Sequence, residues 1–179
     1  MKYWLITDTH FWHVDKMWIY CNRPKDYCSR IIKWLAQIQE GDILIHLWDI
    51  CIWNDKKFCN IFKKQKFKTY LIRWNHDKKT NTFYNKYFDF VWSSMWLYHN
   101  WLKILFSHKP IMEWTYDYNI HWHCHNCNSR EDNITTYWEK YYNWQYHLLA
   151  LEIDWYWPIT LNNFIRKNKL HVISWGNIR

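Results

Sequence analysis

The amino-acid sequence predicts an α/β or α+β fold, in which two mixed β-sheets pack together as a β-sandwich with helices on the outside. Over residues 2–73, short apolar runs alternate with helical patterns in the order β-α-β-α-β, which favours parallel strands joined by right-handed crossovers. From residue 90 onwards, closely spaced apolar runs predict further strands. No repeat or low-complexity linker divides the 179 residues, so a single domain over residues 1–179 is expected.

The first half of the chain is predicted to supply the strands and helices of the β-α-β-α-β unit. Apolar residues at helical spacing predict one helix over 26–39, and a basic amphipathic pattern predicts another over 55–65, with Asp55 as its N-terminal cap. The segment 8–23, before the first of these helices, is expected to be a long loop or an irregular helix. The three predicted strands span 2–7, 43–47 and 68–73.

The second half is predicted to be mostly β-structure. A short helix is expected near 83–87, and a helix with Pro158 near its start is expected over 158–168. The runs 95–98 and 102–106 predict a hairpin across Asn100-Trp101. Further strands are expected at 90–91 and 147–153, residues 171–174 are expected to close a sheet edge, and residues 118–120 lead into the histidine cluster.

Composition narrows the class of protein. No apolar run approaches the roughly 20 residues of a membrane helix, and the first residues lack a signal-peptide pattern, so a cytoplasmic protein without membrane contact is expected. Six cysteines suit a reducing compartment, and the lone C-x₂-C at Cys124 and Cys127 lacks a second pair for structural zinc. The formal charge of +8 suits a phosphate-bearing partner, such as a nucleotide or nucleic acid, or simply a lysine-rich surface, which we favour.

Tryptophan and glycine occur in unusual numbers, with 17 Trp and 2 Gly. Ordinary usage of about 7% would give roughly 12 glycines in a chain of this length. Several tryptophans also stand where turns are expected, for example in Asn100-Trp101. These observations suggest the hypothesis that many Trp positions, including Trp48, Trp74 and Trp122, are Gly in the natural product of a genome that reads UGA as glycine.

Polar side chains that bind metals follow the predicted strands in a fixed order. An Asp-x-His, a lone Asp, an Asn-His-Asp, a lone His and a His-x-His each come after an apolar run, where α/β folds collect ligands. Carboxylate, amide and imidazole groups together suit divalent transition metals. Two such ions about 3.5–4 Å apart hold the attacking and leaving oxygens of a phosphoryl centre. The candidate ligands are Asp8, His10, Asp49, Asn75, His108, His123 and His125.

This pattern resembles that of the calcineurin-like metallophosphoesterases, whose motifs run D-x-H, G-D, G-N-H-[DE], H and G-H-x-H. Every polar position matches over residues 1 to about 125, and each motif glycine is Trp in this chain. The phrase Asp8-Thr9-His10-Phe11-Trp12-His13, with Cys21-Asn22-Arg23-Pro24 after it, is similar to a small bacterial and phage subgroup. The resemblance implies the four-layer sandwich of that superfamily.

The resemblance also implies a function and a role for each site residue. The protein would be a hydrolase that cleaves a phosphomonoester or phosphodiester by attack of a hydroxide bridging two metal ions, with manganese favoured and iron, nickel or zinc possible. His76 would be the general acid and Asp77 its support, or that of a ligand, while His13 and Arg23 are candidates for contact with the phosphate. The first ion would be bound by Asp8, His10 and His125, the second by Asn75, His108 and His123, and both by Asp49.

Two other classes of function stay open. One is a catalytically silent binding scaffold on the same fold, which the retention of all seven candidate ligands disfavours. The other is a basic, aromatic-rich nucleic-acid-binding protein, because bases stack on exposed rings with little sequence preference. The remaining histidines are expected to be structural or solvated, namely His46, His99, His121, His147 and His171.

Overall fold

The structure is a computed structural model, and it describes residues 1–47, 49–73, 77–108, 110–111, 115–121, 145–151 and 155–171. The described residues form an α/β fold with two mixed β-sheets and five helices. The predicted strand at 171–174 falls almost entirely outside these residues. Within the described ranges, no helix is both long enough and apolar enough to cross a membrane.

The first sheet has five strands in the order β4-β3-β2-β1-β9. Strands β1 to β4 run parallel, as the alternation of strands and helices predicted, and β9 pairs antiparallel with β1 at the edge. The central strand β2 is buried along its whole length, which explains its continuous apolar sequence. The strands are β1 (Tyr3–Thr7), β2 (Ile43–Leu47), β3 (Lys68–Ile72), β4 (Phe90–Trp92) and β9 (Ile159–Thr160).

Helices α1, α2 and α3 cover the outer face of the first sheet. Strand residues alternate in direction, so Ile6, Leu44 and Leu71 point towards these helices and form one core with their apolar faces. Helix α3 begins after Asn54, whose side chain accepts a hydrogen bond from the Lys57 amide. The helices are α1 (Val14–Cys21), α2 (Tyr27–Leu35), α3 (Asp55–Lys63), α4 (Asn81–Tyr84) and α5 (Leu161–Lys167).

The second sheet has four strands in the order β5-β6-β7-β8. The hairpin of β5 and β6 turns at Asn100-Trp101, as predicted, and β6, β7 and β8 run parallel. Its inner face, with Ile104 and Phe106 among others, shares a second core with Leu5 and Ile45 of the first sheet. The strands are β5 (Ser94–His99), β6 (Leu102–Ser107), β7 (Tyr118–His121) and β8 (Tyr146–Leu148).

Four features differ from the sequence prediction. Helix α3 is capped by Asn54, and not by Asp55 as predicted. The segment 8–23 contains a regular helix, α1, which ends at Asn22 in the left-handed conformation (φ 52°). Residues 159–160 form strand β9 instead of the first turn of the last helix, and α5 begins only after Thr160 caps it. Strand β8 spans 146–148, so residues 149–151 of the strand expected over 147–153 lie outside it, while residues 152 and 153 lie outside the described residues. At residues 159–161, the pairing of β9 with β1 and the cap at Thr160 outweigh the local pattern.

Candidate metal centre

The candidate centre lies where the two central parallel strands end. Strands β1 and β2 pair in register up to Thr7 opposite Leu47. Their carboxyl ends therefore meet at one edge of the sheet, and the residues that follow them enter the same space. Asp8 and His10 follow β1, and Asp49 follows β2.

Asp8, His10 and Asp49 form a compact buried cluster. The Nε2 atom of His10 lies 3.5 Å from Oδ1 of Asp8 and 3.7 Å from Oδ2 of Asp49. One potential ligand atom from each residue lies within 4.8 Å of the others, and each residue is at most 3% exposed. Ligand atoms about 2.0–2.2 Å from one ion lie about 3–4 Å apart, so these separations suit a shared cation.

The backbone at all three residues adopts an uncommon conformation. Asp8, His10 and Asp49 have positive φ angles of 47°, 40° and 48°. Asp and His tolerate the left-handed region better than most side chains, yet each such residue still carries a conformational cost. Conformations of this kind cluster at binding sites, where the surrounding structure holds them in place.

Backbone hydrogen bonds join the two loops that carry the cluster. The His10 amide donates to the Asp49 carbonyl over 2.9 Å, and the Phe11 amide donates to the Ile50 carbonyl over the same distance. Phe11 and Cys51 then form an isolated parallel bridge. The loops therefore continue the pairing of β1 and β2 beyond the strands, which fixes the backbone of His10 relative to that of Asp49.

Asp77 supports the Asp49 loop from the third strand. Its carboxylate accepts hydrogen bonds from the Asp49 amide and the Ile50 amide, both over 3.2 Å, and the residue is 1% exposed. Arg73, at the end of β3, donates to the Asp77 carbonyl over 3.0 Å. Asp77 thus fixes the backbone of Asp49, while its expected role in supporting His76 or a metal ligand stays a prediction.

Tyr27 and Arg23 hydrogen-bond to backbone carbonyls of the loop that carries Asp8 and His10. The Arg23 guanidinium donates to the Asp8 carbonyl over 2.6 Å, and the Tyr27 hydroxyl donates to the His10 carbonyl. The guanidinium also lies 5.1 Å from the centre of the Tyr27 ring. Because Arg23 has no exposed surface, a phosphate at the cluster would not reach it in this conformation, so its contact with substrate stays a prediction.

A buried histidine, His46, hydrogen-bonds to the loop that carries Asp8 and His10. The Thr9 hydroxyl donates its single proton to the Ile50 carbonyl over 2.9 Å, so it accepts a hydrogen bond from His46 Nε2 at 3.0 Å. His46 is therefore the neutral tautomer with the proton on Nε2. Burial lowers the pKa of His46 from 6.5 to about 3, since the charged ring would lose its hydration. This is a structural histidine, as the sequence suggested.

The other predicted site residues divide between described and undescribed parts of the chain. His13 is the residue immediately before α1, and its ring centre lies 6.1 Å from that of His10. His108 is buried at 2% exposure immediately after β6, on the second sheet. Asn75, His76, His123 and His125 lie outside the described residues, so their roles stay predictions.

Sequence reasoning missed the groups that hold the ligand loops. Tyr27 stands at the start of an ordinary amphipathic helix, and Thr9 is the variable residue of Asp-x-His. Neither position carries a local signal, because each acts through a hydrogen bond to a carbonyl or a ring that is distant in sequence. Their roles require the fold.

Comparison with known proteins supplies a structural likeness. No protein-family profile matches the chain, and no curated protein sequence matches it. The fold is similar to the crystal structure of AQ665 from Aquifex aeolicus, a protein of unknown function, with a TM-score of 0.72 and 24% sequence identity over 93% of this chain and 98% of that chain. The likeness establishes the fold.

Proposed function

We propose that the protein is a dinuclear metal-dependent phosphoesterase. The observation that carries the proposal is the buried cluster of Asp8, His10 and Asp49 at the carboxyl ends of two adjacent parallel strands. Two carboxylates and an imidazole, almost without exposed surface, form a donor set that a divalent cation satisfies. The order of the motifs beyond this cluster supports a second ion, with Asn75, His108 and His123 as its ligands.

The donor set fits a metal in chemistry as well as in distance. Asp49 offers two carboxylate oxygens, as a ligand shared by two ions requires, and its Oδ2 faces His10. Imidazole and carboxylate ligands suit manganese, iron, nickel or zinc. Ions held here would lower the pKa of a coordinated water and neutralise charge on the phosphate oxygens, which is the chemistry that ester hydrolysis needs.

In the proposed reaction, the oxygen of a water molecule forms a bond to phosphorus while the ester P–O bond breaks. The leaving oxygen takes up a proton, and His76 is proposed to supply it, because imidazole titrates near neutral pH. Asp77 keeps the Asp49 backbone in place through its two amide hydrogen bonds. His13, beside His10, is the described side chain best placed to contact the phosphate.

The test measures metal binding and turnover on the same preparations. Metal-free protein is titrated with Mn²⁺ by calorimetry, and hydrolysis of a generic phosphodiester and a generic phosphomonoester is followed with Mn²⁺ present. We expect His10→Ala to lose metal binding and turnover together. We expect His76→Ala to retain metal binding and lose turnover by about 10²–10⁴-fold, the usual contribution of a general acid.

A matched control uses His99, at the end of β5 on the second sheet, where its Nε2 lies 2.6 Å from Oδ1 of Asn162. His99→Gln should retain metal binding and turnover. Absence of Mn²⁺ binding both in the unmodified chain and in a chain with glycine at positions 48, 74 and 122 would overturn the proposal. Binding without turnover of either substrate would favour the silent scaffold.

A lysine-rich groove favours nucleic-acid binding as a second candidate function. It has a volume of about 510 Å³ and lies where α3 ends and β3 begins, at the opposite end of β3 from the metal centre. The one carboxylate in its lining, Asp89, accepts a hydrogen bond from the Thr69 amide over 2.8 Å. The lysines that line it are exposed and comprise Lys63, Lys66, Lys68 and Lys86.

Salt dependence tests this second function. A single-stranded oligonucleotide is titrated at several salt concentrations with the unmodified chain and with Lys66→Gln/Lys68→Gln. If the strand lies in the groove, the double variant should reduce the slope of log K against log salt by about 0.7 per lysine, the value for single strands. An unchanged slope would remove the groove as a nucleic-acid site.

A further inference from the structure

Three tryptophans occupy backbone positions that suit glycine. Trp12, Trp101 and Trp155 have positive φ angles of 69°, 67° and 56°. For a bulky side chain this conformation is a genuine outlier, because the Cβ atom crowds the neighbouring carbonyl oxygen. Gly41, a true glycine, adopts the same region at 85°.

The hairpin at Trp101 is the clearest of the three. Strands β5 and β6 pair up to His99 opposite Leu102, so the connection is the two residues Asn100 and Trp101. Both have positive φ, at 51° and 67°. A two-residue hairpin loop with both φ angles positive is a type I′ turn, for which Asn-Gly is the preferred sequence. Asn100 fits the first position, and glycine is the residue expected at the second.

The surface location of the tryptophans is a second, independent observation. The described residues contain ten tryptophans, none of them fully buried, and eight are at least 40% exposed. Tryptophan is normally among the residues with most of their surface buried. The eight exposed positions are Trp12, Trp18, Trp53, Trp92, Trp96, Trp101, Trp155 and Trp157.

The exposed rings lack the packing that would offset the backbone cost. The Trp101 side chain is 91% exposed, and that of Trp155 is 72% exposed. Trp12 is 67% exposed, with the Lys57 ammonium 5.0 Å from its ring centre as a surface contact. A cation over an exposed ring contributes only modestly to stability. A role in stacking nucleic-acid bases would explain exposed rings, but it does not explain positive φ angles.

We infer that the working protein carries glycine at positions 12, 101 and 155. UGA codons that are read as glycine in the source organism, but as tryptophan in another genetic code, account for the tryptophans at these positions. The inference joins the excess of 17 Trp over 2 Gly with backbone geometry that composition alone does not contain. It is independent of the phosphoesterase proposal, since it concerns the backbone and surface and not the ligands. By the same mechanism, Trp48, Trp74 and Trp122 in the motifs would be glycine in the working protein.

The codons test the origin of these residues directly. UGA at positions 12, 101 and 155, together with glycine in the corresponding peptides of the protein isolated from its natural source, is the expected result. UGG at these three positions would overturn the inference. Tryptophan in the native peptides, even from UGA codons, would overturn it equally.

Thermal unfolding of the full chain tests the backbone part. Trp101→Gly should raise the Tm by about 2–8 °C, because relief of about 1–2 kcal/mol of left-handed strain shifts the Tm by about 2–4 °C per kcal/mol in a chain of this size. Trp101→Ala removes the same indole but retains Cβ, so it should give a clearly smaller rise. Equal shifts for the alanine and glycine variants would show that loss of the ring, and not relief at φ, changes stability.

Trp53 provides the matched control at another position. It is as exposed as Trp12, at 68%, but its φ is not positive. Trp53→Gly should leave the Tm unchanged or lower it, because glycine there adds only backbone freedom to the unfolded chain. A rise equal to that of Trp101→Gly would overturn the assignment of glycine from backbone conformation.

Discussion

Removing the charge of Asp77 should loosen the Asp49 loop without removing any candidate ligand. In Asp77→Asn, one of the two acceptor oxygens becomes an NH₂ group that faces a backbone amide 3.2 Å away. The variant thus loses one hydrogen bond to a charged acceptor and leaves a buried amide without its partner. Hydrogen bonds to charged groups are worth about 1.5–3 kcal/mol, and we expect the free energy of unfolding to fall by about that amount.

Metal affinity should fall in the same variant. Residues that orient metal ligands typically change affinity about 10–100-fold when they are replaced. The assay is calorimetric titration with Mn²⁺ at constant pH, together with urea unfolding in the presence of chelator, so that stability and affinity are measured separately.

Asp89→Asn is the matched control for this prediction. The Asp89 carboxylate also accepts a hydrogen bond from a backbone amide, that of Thr69, over 2.8 Å. Thr69 lies near the start of β3, at the opposite end of the strand from the candidate metal centre. The variant should lower stability modestly and leave metal affinity unchanged. If Asp77→Asn binds Mn²⁺ as tightly as the unmodified chain, the orienting role of Asp77 is refuted.

Three further predictions concern pH, the buried arginine and the metal. The pKa of His46 is about 3 in the folded chain and 6.5 in the unfolded chain, so the unfolded chain takes up its proton first as the pH falls. Between pH 7.5 and pH 5 this should lower the free energy of unfolding by about 2 kcal/mol, measured by urea unfolding with chelator. The variant His46→Gln should lose that part of the pH dependence. Arg23→Lys should lower the free energy of unfolding by about 1–3 kcal/mol, because the buried guanidinium group that donates to the Asp8 carbonyl is lost. A raised KM at unchanged stability would instead indicate that Arg23 contacts the phosphate. Mn²⁺ at about 100 times its Kd should add about 2.7 kcal/mol of stability, or roughly 5–11 °C in Tm, and His10→Ala should abolish that gain in differential scanning calorimetry.

Much of the fold follows from the sequence because its signals are local. Strand β2 is apolar throughout since both of its faces are covered, and the helix over residues 55–63 shows its apolar face at helical spacing. Helix α1 escaped a clear prediction because only Met17 and Cys21 of its residues are buried, which leaves almost no periodic pattern. Strand β9 has two residues, and it exists only because it pairs with β1.

The cluster could be predicted from the sequence, whereas its supports could not. Asp8, His10 and Asp49 meet because parallel strands end at one edge, a rule that depends only on strand order. The two amide hydrogen bonds of Asp77, and that of Tyr27 to the His10 carbonyl, depend on loop paths that no spacing encodes.

The hydrogen bonds from Arg23 and Tyr27 to the Asp8–His10 loop bear on the heat-capacity change of metal binding. Because Arg23 and Tyr27 hold the loop through its carbonyls, the ligand side chains already converge before any ion arrives. Metal uptake should therefore bury little new apolar surface, and its heat-capacity change should be close to zero. Small zinc domains behave in the opposite way, since in them the binding free energy is also the folding free energy. The affinity for the cation would then depend on the ligands and on the groups that orient them, such as Asp77.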